Sequence, residues 1–229
     1  GRGLCTPQQA AKLGKPREAF YDEPNPGFCS GFRIAHDRIA TAGHCIRTQA
    51  DCENTRFVFG FYKTVANPHP EKNISMDNVY ACKRILGGSE QKNGADWRVV
   101  EVDRDMKSGS DLPLRSASTQ PKLLPNAGVV VIGYPMGLPV KIAGGASVRS
   151  LGNGFFVANL DTYGGNSGSA VFNSARLANG ELLVEGILVR GENDFETSDP
   201  CFASKWCPTD GCRGEDVTNA IEIVVASVP

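Results

Sequence analysis

The sequence has little net charge, few histidines and no long apolar run. Its 229 residues carry 24 basic and 25 acidic side chains. With a net charge of -1, nothing in the charge balance favours nucleic acid or an anionic membrane as a partner. No apolar stretch is long enough to span a bilayer, and we find no internal repeat or low-complexity tract. The 41% hydrophobic content is enough for a sizeable core, in one two-lobed unit or two small domains.

Histidine is scarce, and this limits the candidates for a general base to three residues, none of which follows His69. His36 lies in a polar Ala-His-Asp-Arg turn, and His69 lies between two prolines. His44 lies in the segment Ile-Ala-Thr-Ala-Gly-His-Cys, a short apolar strand that ends in a Gly-His-Cys turn. His44 is therefore the best candidate base.

One serine lies on a glycine-rich turn between two apolar runs, in Asp161-Thr-Tyr-Gly-Gly-Asn-Ser-Gly-Ser-Ala-Val-Phe172. Gly165 and Gly168 flank Ser167 and allow a tight bend, with the hydroxyl exposed and amide N–H groups directed at one point. This arrangement is typical of an acyl-transfer nucleophile, which needs a base because a serine hydroxyl is a poor nucleophile at neutral pH. A lone Gly-x-Ser-Gly also occurs in many turns without a catalytic role.

A carboxylate is needed to fix the imidazole tautomer and to stabilise the imidazolium that forms. Asp96 opens the run Asp-Trp-Arg-Val-Val-Glu-Val, whose apolar residues are typical of a strand. A carboxylate at the edge of such a strand can be desolvated and still be ionised beside a histidine. Asp96 is therefore the best candidate to orient His44, although an Asp before a strand is commonly a cap or a solvated end.

The order His44, Asp96, Ser167, with Thr-Ala-Gly-His-Cys around the histidine and Gly-Asn-Ser-Gly around the serine, resembles the chymotrypsin-like serine peptidases. The resemblance runs from about Phe28 to the C-terminus and includes the loop Gly133-Tyr-Pro-Met-Gly-Leu-Pro139. Gly-Gly-Asn-Ser-Gly-Ser makes it closer to the secreted bacterial members.

The resemblance implies a secreted or periplasmic serine endopeptidase that acts on protein or peptide substrates. In such an enzyme His44 takes the proton of Ser167, and the backbone N–H groups of Gly165 and Ser167 form the oxyanion hole for the intermediate that leads to an acyl-enzyme. No metal or organic cofactor is needed, and we expect a monomer.

Short apolar or alternating runs recur between turn residues and indicate a mostly β chain, which favours a sandwich or barrels. The runs cover residues 28–34, 38–42, 56–61, 79–86, 129–134, 155–160, 169–172 and 182–190. Only the resemblance implies an all-β fold of two six-stranded antiparallel barrels within a single peptidase unit. The barrels then comprise residues 28–111 and 126–213, and the Pro-rich segment 112–125 connects them.

The end of the chain has helical spacing, which matches a C-terminal helix in that family and predicts one over residues 214–229. The residues with this spacing are Val217, Ala220, Ile221, Val224 and Val225. The chain begins Gly-Arg-Gly without an initiator methionine or signal peptide, so we expect a processed or engineered mature segment.

Eight cysteines indicate an oxidising compartment and as many as four disulfides. The resemblance implies that Cys29 pairs with Cys45 and closes the loop that holds the histidine, and Cys52 with Cys82 is a plausible second pair. The pairing of the remaining four stays open, and a zinc site is the alternative for three of them. These four are Cys5, Cys201, Cys207 and Cys212.

Asp161 lies six residues before Ser167 and resembles the carboxylate at the base of the S1 pocket in trypsin, which favours Lys or Arg at P1. The glutamyl-specific relatives carry a Gly-x-His segment after the nucleophile, and Leu188 takes the place of that histidine here. Arg190 is then a candidate to bind an acidic side chain, to neutralise Asp161, or to be a solvated strand-end charge.

Asn166 replaces the Asp that precedes the nucleophile in the digestive members, where it receives the new N-terminal ammonium. An amide cannot form that ion pair, so any activation of this chain works differently. Asn at this place is familiar in bacterial glutamyl endopeptidases.

A different class of function stays open, because a protease-like binding protein can keep all three residues while its loops block the site. An esterase of the α/β-hydrolase type is disfavoured: Ser169 replaces the last glycine of Gly-x-Ser-x-Gly, and the histidine precedes the serine.

Overall fold

A computed structural model describes residues 3–196 and 201–223, which form two β lobes with few helices. The first lobe is an antiparallel five-stranded sheet with the order β1-β2-β5-β4-β3. Its strands are β1 (Phe32–Ala35), β2 (Arg38–Thr41), β3 (Arg56–Val58), β4 (Val79–Glu90) and β5 (Asp96–Val102). Alternating apolar residues of β2, β4 and β5 form its core, so β5 is buried along most of its length.

The second lobe is a closed six-stranded barrel with the order β10-β11-β8-β7-β6-β9. Its strands are β6 (Gly128–Gly133), β7 (Lys141–Leu151), β8 (Phe155–Ala158), β9 (Ala170–Asn173), β10 (Val184–Arg190) and β11 (Glu215–Asn219). The expected all-β fold of two barrels is therefore confirmed, with a half-barrel in the first lobe. The segment that connects the lobes forms an isolated parallel bridge between Leu114 and Val184.

The first sheet stays open, with five strands rather than the six expected. Between β3 and β4 the described chain forms two 3₁₀ turns, Pro70–Lys72 and Met76–Asn78. Pro68 and Pro70 lie in this connection, and proline has no N–H to donate to a β ladder. A closing strand is therefore disfavoured here.

The C-terminal helix predicted from residue 214 is wrong over the described residues. Residues Glu215–Asn219 form β11, and only Ala220–Glu222 form a single 3₁₀ turn. Strand β11 pairs with β10 on one side and β8 on the other, and these two ladders close the barrel. Non-local backbone pairing thus outweighs the local helical spacing. Residues 224–229 lie outside the described part of the chain.

Three short helices lie outside the sheets: α1 (Pro7–Lys12), α2 (Gln49–Glu53) and α3 (Ser174–Ala178). Thr6 and Thr48 cap the first two, each in a capping box with a side chain three residues later. Among the described residues, no helix has the length and apolar character needed to cross a membrane.

Four disulfides join all eight cysteines. The pairs are Cys5–Cys201, Cys29–Cys45, Cys52–Cys82 and Cys207–Cys212. Two of them, Cys29–Cys45 and Cys52–Cys82, are the pairs considered from the sequence. The sulfurs considered for zinc are therefore in disulfides, so no thiolate is free to bind the ion.

A shared core holds the lobes together. It contains Ala42, Trp97 and Val99 from the first lobe and Phe172 and Ile187 from the second. The start of β5 and the turn after β2 therefore lie at the junction, beside the strands that follow Ser167.

Candidate active site

Ser167 lies on the turn that leads into β9, and the backbone of this turn requires glycine on both sides of the serine. Gly165 and Gly168 each have φ of +94°, a left-handed conformation that side chains disfavour. A Cβ on Gly168 would overlap the carbonyl oxygen of Ser30. The amide of Ser30 donates a 2.7 Å hydrogen bond to the carbonyl of Ser167. These contacts fix the position of a half-buried serine.

Two amide N–H groups on this turn are left without protein acceptors. The carbonyl of Gly164 accepts a hydrogen bond from the Met136 amide at 2.5 Å, and the carbonyl of Asn166 accepts one from Ser169 at 2.8 Å. Because a trans peptide places N–H and C=O on opposite sides, the amides of Gly165 and Ser167 point the other way. Neither amide donates to another protein atom within residues 3–196 and 201–223.

His44 and Asp96 form a directly bonded pair at the junction of the lobes. His44 lies in the 3₁₀ turn that follows β2, and Asp96 is the first residue of β5. The His44 Nδ1 lies 2.8 Å from Asp96 Oδ2, and the His44 amide donates to Oδ1 at 3.1 Å. This approach needs glycine at position 43, because a Cβ there would lie 2.7 Å from Asp96 Oδ1.

Asp96 is ionised despite its burial, with only 4% of its side chain exposed. Burial alone raises the pKa of this carboxyl, but the hydrogen bonds and charge of His44, with the charge of Arg190, hold it below its ordinary value. Thr218 fixes the backbone of Asp96 through two 3.0 Å hydrogen bonds: its hydroxyl oxygen accepts one from the Asp96 amide, and its hydroxyl donates one to the Asp96 carbonyl. An ionised Asp96 keeps the proton of His44 on Nδ1, which leaves Nε2 as the acceptor.

Ser167 is brought to the histidine turn through its backbone. The Cys45 sulfur lies 3.7 Å from the Ser167 carbonyl oxygen, and Cys45 is the residue after His44. The disulfide with Cys29 ties this turn to Ser30, which is bonded to Ser167. No hydrogen bond joins the Ser167 hydroxyl to His44 among the described residues. Such bonds are often long in unliganded enzymes and tighten when substrate binds.

Asp161 and Arg190, the two residues considered for substrate binding, contact different parts of the structure. Asp161 is exposed and borders a cavity of about 590 Å³ together with Thr162 and Tyr163. Arg190 instead lies 3.5 Å from Asp96 and 3.7 Å from Asp216. Within the described ranges Arg190 forms no ion pair with Asp161, so the neutralisation considered from the sequence is not seen.

Sequence reasoning missed two carboxylates of the same cavity, Asp194 and Glu215. Burial, followed by the negative charge of Asp194, raises the pKa of Glu215 to about 7. Burial also raises the pKa of Asp194. The sequence predicts a helix at Glu215 and Asp216, whereas these residues begin strand β11. A strand at this point would have indicated that Glu215 lies at the cavity.

Asn166 is buried, and its Oδ1 accepts a 3.1 Å hydrogen bond from the hydroxyl of Ser169. Its backbone N–H donates to the carbonyl of Tyr163. The hydroxyl of Tyr163 in turn bonds to Ser204, which Glu18 holds through two 2.7 Å bonds. Glu18, in the N-terminal segment, thus supports the Ser167 turn through Ser204 and Tyr163.

Solved structures with similar backbones include a heparin binding protein, an inactivated protease paralogue and an endopeptidase. Human heparin binding protein aligns with a TM-score of 0.58 at 16% identity, covering 86% of this chain and 84% of that one. The scabies mite inactivated protease paralogue S-I1 gives 0.55 at 16%, with 84% and 82% covered. A Glu endopeptidase gives 0.54 at 16%, with 84% and 79% covered. At this identity they show the fold alone, and a search of curated proteins finds no match.

The family is shown by a match along the sequence itself. Residues 29–180 match the family described as Trypsin-like peptidase domain. This range includes the histidine turn, the start of β5 and the serine turn. The chain therefore belongs to the trypsin-like peptidase family, whose fold is that of the chymotrypsin-like serine proteases.

Proposed function

We propose that the protein is a serine endopeptidase in which Ser167, His44 and Asp96 form a catalytic triad. One observation carries the proposal: the imidazole of His44 is hydrogen-bonded to a buried, ionised Asp96, and Cys45, the residue after His44, contacts Ser167. A buried, ionised carboxylate bonded to the Nδ1 of a partly exposed imidazole is the arrangement that fixes the tautomer of a general base. Membership of a peptidase family adds to this argument.

The first half-reaction acylates the serine. His44 Nε2 takes the proton of the Ser167 hydroxyl as the oxygen attacks the carbonyl carbon of the substrate. Asp96 stabilises the imidazolium that forms, and His44 then gives the proton to the leaving amine. Water attacks the acyl group in the second half-reaction, again with His44 as the base.

The oxyanion of each tetrahedral intermediate is held by the two amides of Gly165 and Ser167. They are suitable donors because they have no protein acceptor in the described structure and are fixed by the bonds on the opposite side of their peptides. A single donor of this kind contributes roughly a hundredfold to a thousandfold to the rate.

For the P1 residue we propose Lys or Arg. The cavity bordered by Asp161 also contains the carboxylates of Asp194 and Glu215, and its lining has five acidic side chains against three basic ones, a balance that favours a cation. The nearest cation along this strand, Arg190, is engaged with other carboxylates and does not neutralise Asp161. An endopeptidase with acidic P1 preference is the alternative, and Leu188, which is buried in the second barrel, does not supply the histidine of that class.

A protease-like binding protein with a blocked site is the second candidate function. It is favoured by one observation, the lack of a described hydrogen bond between the Ser167 hydroxyl and His44. Four disulfides favour an oxidising, extracytoplasmic compartment for either function. A monomer that acts on protein or peptide chains, without a cofactor, is the simplest form of the proposal.

Labelling with a fluorophosphonate tests the proposal directly. We expect covalent labelling of the wild-type protein at Ser167, no labelling of Ser167→Ala, and normal labelling of the neighbouring Ser169→Ala if that variant folds. An unlabelled wild-type protein would contradict the triad. Labelling without cleavage of any peptide would favour the blocked binding protein.

Cleavage-site profiling on a peptide library tests the P1 assignment. Cuts after Lys or Arg are expected, and Asp161→Asn should reduce them relative to other cuts. Cuts mainly after Asp or Glu would replace the proposal by its acidic alternative.

A further inference from the structure

Arg190 connects the second lobe to the turn that precedes the triad carboxylate. It is the last residue of β10, and its guanidinium donates to the carbonyls of Gln91 at 2.9 Å and Lys92 at 3.0 Å. Two longer bonds reach the carbonyl of Gly94 at 3.4 Å. These carbonyls lie in the turn between β4 and β5, so Arg190 fixes the chain immediately before Asp96.

The same guanidinium places a second cation on the triad carboxylate. Its Nη2 lies 3.5 Å from Asp96 Oδ2, which is also the oxygen that accepts the hydrogen bond of His44. On its other side Nη1 lies 3.7 Å from Asp216, a buried residue of β11. Arg190 is therefore held between two carboxylates whose side chains are 4% and 5% exposed.

The planar fork explains why an arginine suits this position. Five donors in a fixed plane can bond several carbonyls and a carboxylate at once, which a lysine ammonium on a flexible stem does not do equally well. With about a quarter of its side chain exposed, Arg190 is also shielded from most of the solvent screening that weakens surface ion pairs.

We propose that Arg190 is a positioning residue of the triad, which holds Asp96 in place and offsets part of its charge. The inference rests on the proposed function, because it concerns the same three catalytic residues. It replaces the substrate contact that was one of the roles considered for Arg190 from the sequence.

The charge of Arg190 has a consequence for the pH dependence of the reaction. A cation on Asp96 weakens the stabilisation that this carboxylate gives to the imidazolium of His44. Asp216 faces Arg190 and also pairs with Arg213, and the charge of the exposed Arg47 reaches Asp96 as well. Removal of the Arg190 charge should therefore move the acid limb of the activity profile to higher pH.

The test compares kcat/KM against pH, on a chromogenic peptide, for the wild type and for Arg190→Gln and Arg190→Lys. For Arg190→Gln we expect kcat to fall roughly tenfold to a hundredfold with KM changed less than about threefold. Its acid limb should move up by about half a pH unit or more. Arg190→Lys keeps the charge, so its acid limb should stay near the wild-type position while kcat remains reduced.

Arg47→Gln is the matched control, because Arg47 is exposed and pairs with Glu90 at 2.9 Å. Its loss should leave kcat and the acid limb near their wild-type values. Asp216→Asn keeps the test valid if Arg190→Gln does not fold. It leaves the Arg190 charge less neutralised, so the acid limb should move in the opposite direction, to lower pH.

Three outcomes would overturn the proposal: an effect of Arg190→Gln on KM alone, an acid limb that does not move in it, or an Arg47→Gln shift as large. Fluorophosphonate labelling separates this failure from that of the function. A wild-type protein that is labelled at Ser167 keeps the peptidase proposal, whatever the Arg190 variants show. A wild-type protein that is not labelled removes both.

Discussion

Glu215 gives the most quantitative prediction, because burial and a neighbouring carboxylate both raise the pKa of its carboxyl. Its neighbours are the carboxylates of Asp194 and Asp216, and its hydrogen bonds come from the side chain of Thr162 and the backbone of Glu192. A Cβ on Gly191 would overlap both of its carboxylate oxygens, so the backbone just after β10 approaches this group closely. Burial and the charge of Asp194 together explain its pKa of about 7.

The direction of the pH effect on stability follows from proton binding to Glu215 in the folded and unfolded states. Between the ordinary glutamate pKa of 4.5 and about 7, the unfolded chain loses the proton while the folded protein keeps it. The free energy of unfolding therefore falls as the pH rises through this window, and the loss is complete above it. A pKa rise from 4.5 to about 7 corresponds to about 3 kcal/mol. Partial exposure of the carboxyl makes this an upper bound.

The perturbation is Glu215→Gln, which is uncharged at every pH and nearly the same size. We expect the variant to unfold with nearly wild-type free energy at about pH 5 and to be more stable than the wild type by about 1 to 3 kcal/mol at about pH 8.5. The substitution also removes the repulsion between Glu215 and Asp194, which further stabilises the variant at high pH. Urea unfolding at the two pH values, with the disulfides intact and the salt constant, measures this difference.

Glu53→Gln, on the exposed side of α2, controls for the general effect of replacing a carboxylate. The reasoning is refuted if Glu215→Gln gains no more stability than this control when the pH is raised. It is also refuted if the variant is much less stable than the wild type at both values, because Glu215 would then be a favourable ionised partner.

Three further predictions concern the triad and the turns that hold it. Asp96→Asn should fold and lose roughly 10⁴-fold in kcat, and retention of activity within tenfold would contradict its role. Gly168→Ala should lower the free energy of unfolding by more than about 2 kcal/mol. Gly145 also has a positive φ but has open space around it, so Gly145→Ala should lower that free energy by only about 1 kcal/mol. Equal losses of stability in urea unfolding would refute the packing argument. Replacing Cys29 and Cys45 together by serine should reduce stability by about 3 kcal/mol, as expected for a loop of this length, and a loss below about 1 kcal/mol would show that the turn is held by other contacts.

The local motifs predicted those parts of the site that depend on short segments. A serine between two glycines needs only the left-handed conformations of its neighbours, and these are found at Gly165 and Gly168. The histidine turn and the start of β5 follow in the same way from short patterns of apolar and polar residues. The structure brings His44 and Asp96 into contact and places Ser167 against Cys45.

The strands of the second barrel were less readable. Strand β7, Lys141–Leu151, was not predicted, because glycines at 144 and 145 and charged residues at 141 and 149 interrupt its alternation. It is a strand because β6 and β8 pair with it on both sides. The helix predicted at β11 is wrong because the two strands that pair with it are remote in sequence.

The sequence by itself determined the turns that carry Ser167 and His44, because the geometry of each turn is set by neighbouring residues. Only the tertiary structure decided the charges around them. Arg190 and Asp96 are 94 residues apart, and their contact exists because β10 packs beside the turn before β5. Glu215 meets Asp194 because the barrel closes through β11. The pKa values of such groups depend on burial and on remote charges, and neither is encoded in a local pattern.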